Sequence, residues 1–556
     1  KNTPSSAKAS IFQLFEERVC EIQKKFNLFL QRFELIKNLL SAFSVFQNNF
    51  PEFTSSELFN DFIKKFSVIN WNNICDLLTE IIKEKILIKL SKLSNEDKKF
   101  VESAINVANS SKSKEIYEYL SKYAYALKML FPIWVSRPEQ VSIFIPLERN
   151  YFEYGIYDEA SQMFLERAYP LLYRSKINII AGDDKQLKPS SFFISRNEEN
   201  DEETEIDDLD IEESLLDRAK TTSWTEIMLQ NHYRSENSDL IQFSSENIYD
   251  NKLNFASKNG LHFEKGIDVV NCDGFFVDRI NEKEALEVIK ILEENINKYK
   301  SILIITFNIS QSSYIESLLM NEKYSTKEVM EKFMKQEIDV VNLENVQGNE
   351  ADLVIISIAY AKKSPSEKLR SAFGPVIQSG GKNRLNVAIT RSKNKMIILK
   401  SLSASEIADN TNENLQVFKK FIAFLDNIAM VNKANQAIKN ENFNFDSSFE
   451  EEVFDELKPY VYQKNLKILT QFEVGNKRID MVITNSNCEK VYLGIEVDGW
   501  KYHSGKIKVL EDFERQLFLE SRGYPIFRVL EYEWKRNKDL IVENIFKQVE
   551  KNKEIL

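Results

Sequence analysis

The chain has 556 residues, of which 43% are hydrophobic and 29% are charged, and its formal net charge is -11. At about 150 residues per domain, this length predicts three to four units rather than one core. No apolar run reaches the roughly 18 residues that a transmembrane helix needs, which favours a soluble, cytoplasmic protein without a membrane partner. The acidic balance argues against non-specific adhesion to nucleic acid, although a local basic groove stays compatible with it. The four cysteines lie far apart without paired spacing, so neither a zinc site nor a disulfide framework is predicted.

Residues 1–130 are predicted to form a helical insertion region. From Phe12 onward, apolar side chains recur at intervals of three and four, with almost no glycine or proline. Aromatic stripes at this spacing are typical of packed core, so no cofactor site is expected here. Because the first residue is Lys1 rather than methionine, we expect the chain to be a fragment or a processed form.

Short β-rich segments alternate with helical ones after Pro132, which predicts an α/β architecture with parallel sheets covered on both faces. In chain order the segments are GIYDEA, INIIAGDD, SILIITF, LVIISIAY and KMIILKSL. We expect two lobes, residues 131–220 and 221–405, and then a helical connector at 406–446. A final α/β unit is expected at 447–556, where a helix precedes RIDMVIT, VYLGIEVDGW and YPIFRVLEY.

An acidic pair follows the first of these strands. Ligands gather at the carboxyl ends of parallel strands, and Asp158 and Glu159 take that position in YGIYDEASQ. An aspartate there can hold hydrated magnesium while the next glutamate orients a water for phosphoryl transfer. Alone, the pair is a weak signal, because acidic pairs after strands are often solvated turns.

Four further segments extend this pattern: IIAGDDKQLKPSSFF, LQNHYRS, VVNLENVQGNEADLVIIS and RLNVAITRSKNKMIIL. With the DEASQ segment, they resemble motifs II to VI of superfamily 1 helicases, in the branch whose second motif reads DEASQ or DEAAQ. The flanking segments FPIWVSRPEQV, ESLLDRA and FGPVIQSGGKNRLNVAITRS resemble the corresponding segments of large bacterial helicases that carry a very-short-patch-repair-like nuclease at the C-terminus. The resemblance runs from Phe131 to the C-terminus and implies two RecA-like lobes.

The resemblance also implies ATP and Mg²⁺ as cofactors and a role for each matching residue. Asp158 would bind magnesium, Glu159 would activate water and Gln186 would contact the γ-phosphate. Arg234 and Arg391 would be arginine fingers, because planar guanidinium groups match the charge spread over a transferring phosphoryl group. The remaining nucleotide contacts and their coupling to the strand would fall to Gln347, Gly348, Glu350 and Arg384, with Glu350 at the ribose.

A phosphate loop does not accompany these motifs. Such a loop needs the pattern G-x-x-x-x-G-K-[ST], and none of the 14 glycines begins it. Gly380 in GGKN belongs to the last helicase motif, and Gly475 in VGNKR precedes a strand. Either a first lobe begins upstream, or a strand-tracking scaffold has lost its ATPase. The intact arginines and the non-methionine start favour the first explanation, and by itself the chain is expected to be deficient in ATP hydrolysis.

The last unit contains three carboxylates in VGNKRIDMVITNSNCEKVYLGIEVDGWKYHSG. Asp480 is expected to begin one strand after a polar turn, and Glu496 and Asp498 face one side of the next strand, since they are two residues apart. A hairpin would bring the three together. Such a cluster suits Mg²⁺ or Mn²⁺, which take oxygen ligands and activate water against a phosphodiester.

This pattern resembles the PD-(D/E)xK nucleases, in the group similar to very-short-patch repair endonucleases. The resemblance adds Glu450 on the opening helix as a metal ligand, and it places Gln471 before the first strand. Aspartate stands at position 498 where the generic motif has lysine, so charge stabilisation would fall to Lys501 or His503. The alternative interpretation is an Asp-Gly turn with His503 stacked on an aromatic neighbour, Trp500 or Tyr502.

These patterns favour an ATP-dependent DNA helicase or translocase fused to a metal-dependent endonuclease, which the resemblance associates with bacterial defence. Its expected partner is DNA, as a single strand or a fork, with RNA as second choice, and with a defence-system protein or a second copy as further candidates. Two alternatives are a nuclease delivered by an ATPase-inactive scaffold and an RNA helicase with an inactive tail. The acidic tract Glu198–Glu213 is either a solvated loop or a screen against DNA.

Overall fold

The computed structural model describes residues 94–108, 133–189, 214–262, 264–434, 443–499 and 506–555, with isolated positions between 79 and 131. Most of the predicted helical region at 1–130 and the acidic tract lie outside the described residues. Within that region, helix α1 spans Asn95–Ala108. Among the described residues, no helix is both long and apolar enough to cross a membrane.

The first α/β unit contains two parallel strands, β1 (Phe152–Tyr157) and β2 (Ser175–Ile180). Helix α3 (Leu165–Arg174) connects them, as a parallel pair requires. Helix α2 (Pro138–Phe144) precedes the strands and helix α4 (Leu215–Thr221) follows them. The buried side chains Tyr157, Ala160, Ala168 and Leu215 form the core that joins the strand ends to α3 and α4.

The second unit has a parallel sheet of five strands in the order β3-β7-β6-β4-β5. The strands are β3 (Ile267–Asn271), β4 (Ile302–Thr306), β5 (Ile338–Asn342), β6 (Ala351–Ser357) and β7 (Ser392–Lys400). The two edge strands, β3 and β5, have the same sequence, IDVVN. Both were missed from the sequence, because five residues that include an acid give a weak strand signal.

Helices cover both faces of this sheet. They are α5 (Asp239–Asn247), α6 (Glu282–Asn295), α7 (Ile309–Leu319), α8 (Lys327–Met334), α9 (Gly381–Ile389) and α10 (Glu413–Ala434). Alternate residues of the central strand β6 enter different cores: Val354 and Ile356 pack with Phe418 of α10, and Leu353 and Ile355 pack with the core that contains α6 and α7. This two-sided burial explains why β6 reads as a continuous apolar run.

The C-terminal unit has a mixed sheet of four strands in the order β11-β10-β9-β8. The strands are β8 (Lys467–Val474), β9 (Lys477–Thr484), β10 (Val491–Asp498) and β11 (Ile526–Leu530). Pairing is antiparallel between β8, β9 and β10, and parallel between β10 and β11. Helix α11 (Ser448–Gln463) opens the unit, α12 (Lys506–Ser521) joins β10 to β11, and α13 (Glu531–Ile555) closes it.

The predicted fold class is confirmed: parallel α/β sheets are followed by a separate C-terminal α/β domain. Two local predictions in that domain are wrong. Gln471 lies inside strand β8 rather than before the first strand, and Asp480 is the fourth residue of β9 rather than its start. The hairpin turn is Gly475–Asn476, and the polar residues Lys477 and Arg478 already belong to strand β9.

Candidate functional sites

The predicted acidic pair lies directly after strand β1, and both side chains are exposed. The Oδ1 atom of Asp158 accepts a 3.0 Å hydrogen bond from the backbone amide of Glu159. Glu159 has a φ of 53°, in the left-handed region that residues other than glycine seldom adopt. Strained backbone of this kind concentrates at functional sites, and here it turns the chain sharply at the end of the strand.

Two amides reach the Glu159 carboxylate, one from each α/β unit. Gln162 Nε2 donates to Glu159 Oε2 at 3.2 Å, and Gln347 Nε2 of the second unit lies 3.4 Å from the same oxygen. Gly348, the next residue, has a φ of 88°, and a Cβ atom there would meet nothing within 4 Å. Glycine is therefore favoured at this position by its backbone conformation, not by lack of space.

Gln186 connects the two units at a second point. Its Nε2 atom donates to Asp183 Oδ2 at 3.0 Å, and its Oε1 atom accepts from Arg391 Nη2 at 3.5 Å. Tyr249 of the second unit donates a 2.6 Å hydrogen bond to Asp183 Oδ2, and Asn386 donates to the Tyr249 hydroxyl at 2.9 Å. Sequence reasoning missed Asp183, Tyr249 and Asn386. Two of them could have been found from the sequence: Asp183 stands shortly after a strand, and Asn386 stands five positions before Arg391.

Arg391 is 3% exposed and donates to the backbone carbonyls of Val387 and Asn349 at 2.9 and 3.3 Å. The pKa of Arg391 is lowered to about 10, mainly by burial and also by the Arg234 charge, while the charges of Glu159 and Glu350 oppose the shift. Arg391 therefore shares one electrostatic environment with the second candidate finger and with the candidate catalytic glutamate.

Arg234 lies against Glu350, with Nε 3.3 Å from Oε2, and Lys393 Nζ lies 2.6 Å from Oε1 of the same carboxylate. The Lys393 hydrogen bond is the main cause of a lowered pKa at Glu350. Arg384 points elsewhere, because its Nη1 atom donates to the carbonyls of Ser379 and Pro375 at 2.6 and 3.3 Å. The structure thus brings Glu159, Gln186, Gln347 and the two candidate fingers to one interface. It does not bring Arg384 there, since the Arg384 side chain bonds to backbone carbonyls of its own segment.

Strands β9 and β10 form the antiparallel hairpin that the carboxylate spacing predicts. Met481 pairs with Ile495, so Asp480 and Glu496 lie at adjacent positions of the two strands. The Oδ2 atom of Asp480 accepts a 2.8 Å hydrogen bond from the Val497 amide. Glu496 is 4% exposed and Asp498 is 9% exposed, so two acidic side chains are buried at the end of β10.

Two arginines that sequence reasoning missed pair with these carboxylates. Arg515 of α12 donates to Glu496 Oε1 at 2.9 Å, and Arg528 of β11 donates to Asp498 Oδ2 at 2.9 Å. Arg528 is also buried, and its Nε atom donates to Gln516 at 3.0 Å. The sequence did contain an indication of Arg528, since it is a single charge inside the apolar segment IFRVL. Buried charges in folded proteins are paired, so such a residue predicts an acidic partner.

The cluster is electrostatically strained. The pKa of Glu496 is raised to about 8, mainly by burial and also by the charges of Asp480 and Asp498, while Arg515 and Arg528 oppose the shift. Burial likewise raises the pKa of Asp480, with contributions from Glu450 and Asp498. The acidic groups therefore repel one another, and the two arginines compensate only in part. Hard oxygen donors in such surroundings match the ligand preference of a divalent cation.

Glu450 begins the opening helix and accepts a 2.7 Å hydrogen bond from Gln471 Nε2 and a 3.0 Å bond from the Asp446 amide. Within the described ranges, no group of three or more His, Cys, Asp and Glu side chains is placed to hold a metal ion. The Asp498 carboxylate accepts from Arg528, and the Glu450 carboxylate accepts from Gln471. Lys501 and His503 lie outside the described residues.

Comparison with protein families identifies two segments of the chain. Residues 211–403 match the AAA domain family and contain the second α/β unit with both candidate fingers. Residues 449–549 match the family REase_MTES_1575 and contain the carboxylate cluster. The chain therefore joins a helicase domain of the superfamily 1 type to a C-terminal restriction-endonuclease-like domain, and the resemblance seen in the sequence is confirmed.

Three curated relatives agree with this assignment. The uncharacterized ATP-dependent helicase MG140 homolog of Mycoplasma pneumoniae is 30% identical over 491 residues, which cover 84% of this chain and 43% of that protein. The uncharacterized ATP-dependent helicase MG140 of Mycoplasma genitalium is also 30% identical over 491 residues, with the same coverage of 84% and 43%. The DNA replication ATP-dependent helicase/nuclease DNA2 of Gallus gallus is 25% identical over 337 residues, covering 58% of this chain and 30% of that protein. The chain spans less than half the length of these relatives.

Proposed function

We propose that this chain is part of an ATP-driven DNA helicase or translocase that also cuts DNA with a divalent metal ion. The observation that carries the motor half is the interface between the two α/β units. Contacts from Gln347 to Glu159 and from Arg391 to Gln186 cross that interface. A nucleotide held there would touch both units, so its hydrolysis would change their relative position.

In this proposal each residue of the interface has one task. Asp158 holds magnesium, Glu159 orients the attacking water, and Gln186 senses the γ-phosphate. Arg234 and Arg391 stabilise charge on the transferring phosphoryl group, which is the main catalytic demand of this reaction. Gln347 and Gly348 couple the nucleotide to the strand, and Glu350 takes the ribose. Glu350 would first have to exchange its bonds with Lys393 and Arg234.

We further infer that these 556 residues alone hydrolyse ATP slowly. The interface supplies acidic and cationic groups, but the sequence contains no glycine-rich loop of the type that cradles the β-phosphate. The competing proposal, an ATPase-inactive scaffold that delivers the nuclease, rests on the same observation. The affinity for DNA, measured with and without ATP, distinguishes the two proposals. The motor should bind DNA differently when ATP is present, and the inactive scaffold should not.

For the nuclease half, Asp480 and Glu496 are the groups that would hold the cation, with Asp498 and Glu450 beside them. A divalent cation supplies positive charge to the phosphodiester and makes water more acidic. The Val497 amide fixes the Asp480 carboxylate that would bind it. Arg515 bonds to Glu496, so a cation would compete with Arg515 for that carboxylate. Lys501 and His503 are proposed to stabilise charge or to position water.

The proposed substrate is DNA, as a single strand or a fork. The Gallus gallus relative is named as a DNA replication helicase/nuclease, which supports DNA over RNA. Affinity should fall steeply with salt in spite of the acidic net charge, because contacts to phosphates release counterions. The proposed biological role is defence against foreign DNA in the bacterial cytoplasm. The protein would act there with a defence-system partner protein or by self-association. Protection of a host strain in a phage challenge would test it.

One experiment separates the candidate functions. Labelled single-stranded DNA, forked DNA and RNA of the same sequence are incubated with the chain in magnesium, in manganese and in EDTA, each with and without ATP. The proposal expects cutting of DNA in either metal, with no ATP requirement, and no cutting in EDTA. Binding of RNA without cutting of either nucleic acid would instead favour the RNA helicase with an inactive tail.

A further inference from the structure

Helix α12 of the endonuclease-like domain is followed by a residue that contacts the loop carrying Arg234. This residue, Arg522, is 6% exposed. Its Nη2 atom donates to the carbonyls of Ser235 and Glu236 at 2.7 and 3.1 Å, and its Nη1 atom donates to the carbonyl of Tyr233 at 3.3 Å. The bonded carbonyls lie on both sides of Arg234 in the chain.

The same loop is held from its other side by the second α/β unit. The Glu236 amide donates to the Lys393 carbonyl in strand β7 at 2.7 Å. The Tyr233 ring meets the Phe518 ring of α12 in a T-shaped contact, with 5.8 Å between the centroids. The loop therefore lies between β7, which begins just after Arg391, and the helix that contains Phe518 and ends beside Arg522.

The contacts of Arg522 indicate that its side chain fixes the backbone of the loop that carries Arg234. Burial lowers the pKa of Arg522, so the charged form is held there at a cost. The described partners of its guanidinium are main-chain carbonyls. A rigid, planar fork with several donors fixes the orientation of successive peptide groups better than a flexible ammonium group does.

We propose that Arg522, supplied by the endonuclease-like domain, is the positioning residue that holds Arg234 at the nucleotide site. The inference rests on the proposed role of Arg234 as an arginine finger. It implies that the endonuclease-like domain completes the motor. Because α12 carries Arg515, which bonds to Glu496, and ends at Ser521, directly before Arg522, one helix connects the two candidate active sites.

Hydrogen exchange of the nucleotide-free chain tests the contact directly. Arg522→Ala should speed exchange of the Ser235 and Glu236 amides by about tenfold or more, because the carbonyls of the loop lose the guanidinium donor that fixes them. Arg522→Lys should give an intermediate effect. The matched control is Asn259→Ala, which removes hydrogen bonds of 2.8 Å to the Val491 and Gly523 carbonyls in the same domain interface. Equal exchange in wild type and Arg522→Ala would overturn the proposal, and so would the same effect from Asn259→Ala.

A double-mutant cycle then separates positioning from a general structural role. Affinities for ADP and ATPγS are measured with magnesium for wild type, Arg234→Ala, Arg522→Ala and the double variant. Each single variant should lose about tenfold of the preference for ATPγS, and the double variant should lose no more than Arg234→Ala alone. Additive losses would contradict a role that acts through Arg234. Equal affinities of the wild type for both nucleotides would count against the proposed function of Arg234, and hydrogen exchange would still decide whether Arg522 fixes the loop.

Discussion

The Arg515 guanidinium donates a 2.9 Å hydrogen bond to the Glu496 carboxylate and so joins helix α12 to strand β10. Glu496 is buried, and burial raises its pKa to about 8 while Arg515 opposes that shift. Arg515 thus supplies the kind of positive charge that a divalent cation would supply in the proposed nuclease. In the proposed nuclease the two cations would therefore compete for Glu496.

Replacement of Arg515 tests this competition. Arg515→Ala should lower the melting temperature of the metal-free protein, because it removes the hydrogen bond to Glu496. A hydrogen bond to a charged group contributes about 1.5–3 kcal/mol to stability. Solvent screening makes the contribution smaller here, because Arg515 is partly exposed. Added magnesium should then raise the melting temperature more in the variant than in wild type. Calorimetry with and without magnesium measures both effects. Arg536→Ala removes an exposed arginine of the same domain and serves as control. Equal magnesium shifts in variant and wild type would contradict the competition.

Asp498→Lys tests whether Asp498 contributes to the site or stands in for the lysine of the generic nuclease motif. Arg528 lies 2.9 Å from Asp498, and both are buried, so a lysine there would place two cations together. Loss of a buried pair costs about 3–5 kcal/mol. Unfolding in guanidinium chloride should show this loss, and DNA cleavage should disappear, whereas Asp498→Asn should be the milder change. A stable and active Asp498→Lys protein would show that Asp498 only occupies the lysine position.

Much of the fold was predictable because the central strands are buried on both faces. The segments that became β4 and β6 read as unbroken apolar runs, which local sequence alone can reveal. The edge strands β3 and β5 and the strand β8 were missed, since short or mixed polar segments form strands only when a neighbour pairs with them.

The candidate site was predictable only in part. Asp158, Glu159, Asp480 and Glu496 stand beside or within strands, and their chemistry is visible from the chain. Their partners come from distant segments: Tyr249 and Asp183, for example, are separated by 66 positions and meet at 2.6 Å. Such pairs depend on how the units pack, which a single sequence does not specify.

Glu284 should make stability depend on pH. It is fully buried, and burial raises its pKa from 4.5 to about 7, although hydrogen bonds from Ser401, Ala359 and Ser357 oppose the shift. The folded state therefore binds this proton more tightly than the unfolded state. Its stabilising contribution is complete below pH 4.5 and is lost as the pH rises through about 7.

The free energy of unfolding in urea should consequently fall by up to about 3 kcal/mol across that window. Glu284→Gln should flatten this part of the pH profile, because the titrating group is gone. Glu287→Gln, on the same helix but half-buried, should leave the profile unchanged. The same slope in Glu284→Gln as in wild type would show that another group is responsible.

ATP turnover by the 556 residues alone should stay close to background, because the sequence contains no G-x-x-x-x-G-K-[ST] segment that would cradle the β-phosphate. Release of phosphate is measured with and without single-stranded DNA. Turnover stimulated by DNA to about 1 per second or faster, which is within the usual enzyme range, would contradict this expectation.

The central claim is that the C-terminal domain cuts DNA by means of the neighbouring carboxylates Asp480 and Glu496. The initial rate of cleavage of a labelled DNA fork, compared between wild type and Glu496→Gln in magnesium, tests it most directly. Glu489→Gln, an exposed glutamate in the turn before β10, is the matched control. Wild type and Glu489→Gln should cut without ATP, and Glu496→Gln should not cut. Cleavage by Glu496→Gln at the wild-type rate, or wild-type cleavage that persists in EDTA, would contradict the account.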